Sequence, residues 1–190
     1  HRIHGEDLAV LAGDALIVHA FEVVLRARGA AEKKTRLLSA LTRAIGHARG
    51  LIAGQAWEAE REVPLTIYHQ AKTASLFEAA AVCGAICGGA ESAPWRRMAL
   101  HIGEAYQIAD DLADALGTSC ALGKPVGQDT AHQRPNAASA LGIDGAFTRL
   151  AELREEALDA LPDVPGRARI ASWLGDVVER LLPTASAAAV

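Results

Sequence analysis

The chain has 190 residues, 51% of them apolar and only 4% aromatic, with a net charge of -4. That length suits one packed domain and is short for two. Scattered basic residues and a pI of about 6.0 exclude a nucleic-acid-binding surface, and 17 Gly with 7 Pro are too thinly spread for a turn-rich sheet protein, so an all-α fold is expected.

Helical periodicity predicts six helices. The first covers 5–28 and stops at Gly29; the second covers 32–62. Pro64 opens a third over 64–87, with Gly88 and Gly89 as its stop signal. A fourth enters near Pro94 and runs to residue 117. Two shorter helices follow at 143–161 and 167–182, so the domain is expected over 1–182, with 183–190 as a frayed tail. Short connections make helices two to four antiparallel neighbours in a bundle. The small residues of "AAAVCGAICGGA" in the third suggest the central helix. Cys83 and Cys87, one turn apart among alanines, are expected to be small core residues. Together with Cys120 they form no CxxC, and three unframed thiols suit a reducing cytoplasm. The alanine-rich run is shorter than the ~20 residues of a membrane span. A soluble cytoplasmic protein is therefore expected. Asp14, within the apolar "LAGDAL", reads as a structural or interface residue.

Residues 117–136 show no period and many helix breakers. Aperiodic segments of that length in a compact domain are usually lids or binding loops, or else disordered. This one begins where three aspartates end, in "AYQIADDLADALG" over residues 105–117. At about 100° per residue, Gly103, Asp114, Gln107 and Asp111 fall within about 100° of Asp110. Ile102, Ile108 and Leu112 lie opposite, giving one apolar and one acidic face. Such a face can simply meet water. Against that, like charges at i,i+3 and i,i+4 repel by a few tenths of a kcal/mol. An anion at a helix C-terminus costs roughly a further 0.3–1 kcal/mol. A bound cation removes both penalties, and carboxylates on a short arc suit Mg²⁺, which shares its coordination with substrate phosphates. Lys72 and Thr73 precede this helix, and Lys124, in "LGKPVGQD", follows it. Each lysine alone is an ordinary surface residue; together with the aspartates they form a candidate diphosphate clamp.

The blocks "HRIHGEDLAVLAGDALIVHAFEVV", "GQAWEAE", "KTASLFEAAAVCGA", "GEAYQIADDLAD" and "LGKPVGQD" follow one another in order. In them the chain resembles the trans-polyprenyl diphosphate synthase family of geranylgeranyl and farnesyl diphosphate synthases. The segment "LGKPVGQDTAHQRPNAASALG" is most like the bacterial geranylgeranyl enzymes. The resemblance implies the isoprenoid synthase fold, a helical bundle around a central cavity, and a homodimer. It implies Mg²⁺ on Asp110, Asp111 and Asp114, and allylic substrate contacts from Lys72, Thr73, Gln107 and Lys124, with Lys72 and Asp110 as catalytic residues. The implied partners are isopentenyl diphosphate and an allylic prenyl diphosphate, joined by ionisation, condensation and elimination. Gln55 and Glu58 either support the cavity or lie on an exposed polar face. Asp129 is a weaker candidate to assist metal or lysine. The family's first aspartate-rich motif is not found, so the chain is expected to be the C-terminal two-thirds of such a protein. A non-catalytic regulatory subunit and another isoprenoid-fold enzyme, such as a terpene cyclase, are the alternatives.

Overall fold

The computed structural model describes residues 1–60, 63–116 and 135–181. Every regular element among them is helical. Helix α1, Glu6–Arg26, buries no residue. It is long and apolar enough to cross a membrane by length and composition, with a mean hydropathy of 2.0. Leu8, Leu11, Leu16 and Val18 all stand more than half exposed on it.

The predicted second helix is three pieces: α2, Ala31–Ile45; α3, Leu51–Ala56; and a 3₁₀ turn, Trp57–Ala59. The break falls between two glycines that apolar periodicity passes over. A Cβ on Gly50 would sit 2.4 Å from the Ala44 carbonyl oxygen, so the chain folds back on the end of α2 there.

The third predicted helix is also divided. Helix α4, Leu65–His69, passes into a π-helical turn, Gln70–Ala74, and then into α5, Ser75–Gly88. Gly89 closes α5 in the left-handed conformation, as the double glycine suggested. Helix α6, Ser92–Ala115, returns after this short link. Helix α7, Ala137–Ala160, consists of a short first segment, capped by the Asn136 side chain, which accepts from the Ser139 amide at 3.2 Å, and a main segment beyond the non-helical Gly142, where the apolar period placed a helix start at 143. Gly142, at φ 73°, kinks α7 in its first turns. Helix α8, Arg167–Leu181, ends the described chain. The 183–190 tail lies outside the described residues.

The centre of the bundle is α6 and not the alanine-rich α5. It packs on α5, α7, the π turn, α8 and α4. The reason is side-chain volume. Met98, Ile102, Ile108 and Leu112 of α6 meet Leu150 and Leu153 of α7 and Leu174 of α8, and each fully buried Leu or Ile contributes about 1.5–3 kcal/mol. Helix α5 supplies small residues instead. Its Cys83 is only partly buried and Cys87 is exposed, so Cys87 is not the core residue its alanine neighbours suggested. Because those side chains are short, a cavity of about 640 Å³ remains between α5, α6 and α8, walled by Phe77, Ala81, Gly84, Met98, Ile102 and Leu174 among others.

Candidate functional site

The π turn holds Lys72 and Thr73. π turns add a residue to the helical repeat and recur at functional sites. Two glycines hold this one. A Cβ on Gly54 of α3 would lie 2.3 Å from the Lys72 amide nitrogen, and one on Gly103 of α6 would lie 2.4 Å from Ala74 Cα. The two helix backbones thus touch the turn, an approach that only residues without a Cβ permit.

From this turn a hydrogen-bonded chain crosses to α6. Thr73 Oγ1 donates to Gln107 Oε1 at 2.5 Å, and Gln107 Nε2 donates to Asp111 Oδ1 at 2.9 Å. The Ala137 amide, at the start of α7, donates to Asp111 Oδ2 at 2.7 Å. His69 Nε2 stands 3.2 Å from the same oxygen, and both side chains are 1% exposed. Three elements therefore converge on one buried carboxylate, consistent with the requirement that a buried charge be paired and hydrogen-bonded.

Lys72 is not a bare point charge. Its Nζ lies 2.5 Å from Glu58 Oε1, donates to the Tyr68 hydroxyl at 2.8 Å and sits 5.2 Å from the Tyr68 ring centroid. The Tyr68 hydroxyl in turn donates to Glu58 Oε1 at 3.2 Å. Burial works to lower the Lys72 pKa, but the hydrogen bonds to Glu58 and Tyr68 outweigh it and hold the ammonium above its ordinary range. Burial is the main cause of the raised Tyr68 pKa. Of the two roles open to Glu58, support of the site is the one its geometry matches. Gln55 is exposed.

Asp110 is partly exposed, whereas Asp111 and Asp114 are buried. No group of three or more His, Cys, Asp or Glu is already gathered around a metal position among the described residues. Mg²⁺ commonly takes only one or two carboxylates beside substrate phosphates, and Asp110 and Asp114, one turn apart, fit that demand. Both oxygens of Asp111 already accept hydrogen bonds from protein. Lys124 and Asp129 lie outside the described residues. Tyr68 and His69 went unnoticed in the sequence. Their signal was position, one turn ahead of Lys72 and Thr73 on the same helical segment.

The polyprenyl synthetase family profile matches residues 1–160. Geranylgeranyl diphosphate synthase of Cereibacter sphaeroides is 45% identical over 193 residues, covering all of this chain and 66% of that protein. The same-named protein of Rhodobacter capsulatus is 46% identical over 176 residues, covering 92% of this chain and 61% of its own length. The chain thus spans less than two-thirds of these relatives. Among solved structures, a Helicobacter pylori geranyltransferase complexed with magnesium and isoprenyl diphosphate superposes with a TM-score of 0.80 at 26% identity, covering 95% of this chain and 63% of that one. A Pyrococcus horikoshii geranylgeranyl pyrophosphate synthetase gives 0.71 at 28% identity, covering 95% and 69%. The fold is that of the isoprenoid synthases, and the chain belongs to the polyprenyl synthetase family.

Proposed function

We propose that this protein belongs to a Mg²⁺-dependent prenyltransferase that condenses isopentenyl diphosphate with an allylic diphosphate to give geranylgeranyl diphosphate. The observation that carries this reading is the Thr73–Gln107 hydrogen bond, which ties the turn holding Lys72 to the helix holding Asp110 and Asp114. Cation and carboxylates are thereby set on two linked backbones, the arrangement a diphosphate needs when it is gripped both directly and through a metal. The names of the two bacterial relatives support the same product.

Mg²⁺, held by Asp110 and Asp114, would supply the positive charge that stabilises a departing diphosphate. The protein's own residues do the rest. Glu58 and Tyr68 fix the Lys72 ammonium, so that its remaining N–H can meet a diphosphate oxygen without reorganising during the reaction. The apolar walls along α5 and α6 suit a hydrocarbon chain. The unburied apolar side chains of α1 suit contact with a second copy, so a homodimer is proposed with α1 at its interface.

The test is incubation with labelled isopentenyl diphosphate, farnesyl diphosphate and Mg²⁺, with products sized by chromatography. A C20 product is expected. No product from a protein shown intact and folded would reject the synthase reading in favour of a non-catalytic subunit or another isoprenoid-fold activity. Sedimentation of the same sample is expected to give a dimer.

A further inference from the structure

We infer that His69 is a positioning residue, which holds Asp111 as the internal anchor of the aspartate motif and so leaves Asp110 to face the metal. This rests on the prenyltransferase reading for what the anchored groups do, but its geometry stands apart from that reading.

His69 Nε2 and Asp111 Oδ2 are 3.2 Å apart, each on a side chain 1% exposed. Out of reach of water, two polar groups at that distance act on each other through a low local dielectric. The contact is not aligned as a hydrogen bond, and His69 Nε2 has no aligned partner elsewhere among the described residues. Asp111 Oδ2 is the polar contact that the structure gives His69 Nε2 among the described residues. The carboxylate's other contacts come from Gln107 and the Ala137 amide.

The contacts close a ring. His69 is the last residue before the π turn, Thr73 lies in that turn, Thr73 donates to Gln107, Gln107 donates to Asp111, and Asp111 returns to His69. One helical segment is thus fastened to α6 at two points, about one turn apart on each helix. Asp110 and Asp111 are consecutive and so diverge by about 100° around the helix. Drawing Asp111 inward therefore sets Asp110 toward the outside. Neighbouring carboxylates in one motif then have different tasks: one anchors and the other binds.

The test uses the full chain with His69→Leu and His69→Gln; glutamine keeps an N–H donor near the place of Nε2. The first readout is hydrogen exchange of the Ala137 amide, with core amides of α7 such as Ala146 as internal reference. In His69→Leu, exchange at Ala137 is expected to accelerate about 10-fold relative to Ala146, the order expected when one buried hydrogen bond is weakened. In His69→Gln it is expected to return toward the native rate. The second readout is kinetic: KM for the allylic diphosphate rises in the leucine variant more than kcat falls, and the glutamine variant recovers it. Selective loss at Ala137 with rescue supports the inference even if the native protein turns nothing over, a result that would instead sink the synthase reading. Unchanged Ala137 exchange in His69→Leu, or equal loss at every core amide without rescue by glutamine, overturns it.

Discussion

The backbone amide of Ala137 donates to Asp111 Oδ2 at 2.7 Å across 26 positions of chain. It fastens the first turn of α7 to the last turns of α6. A side chain that counts as one of three clustered negative charges in the sequence is thus, in the fold, the junction of three elements.

Asp111→Ala removes that junction and leaves His69 Nε2, Gln107 Nε2 and the Ala137 amide facing a void. Leaving a buried donor unsatisfied costs about 1–3 kcal/mol, and the urea midpoint is expected to fall accordingly. Asp110→Ala, at a partly exposed position, is expected to cost about 1 kcal/mol or less while abolishing Mg²⁺-dependent turnover. Equal destabilisation by the two substitutions would show that the aspartates do not divide their roles.

The same replacement at two glycines is expected to have opposite signs. In Gly103→Ala the new Cβ would meet Ala74 Cα at 2.4 Å, an overpacking that costs about 1–3 kcal/mol and displaces Thr73. In Gly84→Ala the Cβ has nothing within 4 Å, so helix propensity alone acts and adds about 0.5–1 kcal/mol. Thermal denaturation of the two variants, one melting below the native protein and one above, is the check.

Stability is expected to decline at alkaline pH through Lys72 and Tyr68. Both have pKa values raised in the fold, so the folded state holds these protons longer than the unfolded chain does. Their contribution is complete below the unfolded values, about pH 10, and is lost as pH rises through the folded ones. Urea midpoints followed from about pH 8 to about pH 11 should show this slope. Lys72→Met should flatten it. A native-like slope in that variant would contradict the assignment.

Asn136→Ala removes the side-chain cap of α7 and is expected to cost about 1 kcal/mol. Because Ala137 is the next residue, its amide should also exchange faster. Asn136→Ser, which keeps a capping oxygen, should restore most of the melting temperature.

How much of this was present in the sequence differs from residue to residue. Apolar spacing was enough for an all-helical chain, and Gly89 for the end of α5, because both signals act within one or two turns. The clustering of Asp110, Asp111 and Asp114 near a helix end was likewise a local electrostatic fact, as was the placement of Lys72 and Thr73 ahead of it. Tertiary packing decided the rest. The π turn exists between Gly54 and Gly103, which are far apart in sequence and show no period in common. Glu58 became the partner of Lys72 only when the 3₁₀ turn was laid beside Tyr68. Whether Asp111 points to solvent or into the core could not be read from the helix wheel. It depends on His69 and Ala137, which no local signal connects to it, and burying a carboxylate is tolerable only where such distant donors are brought together to hold it.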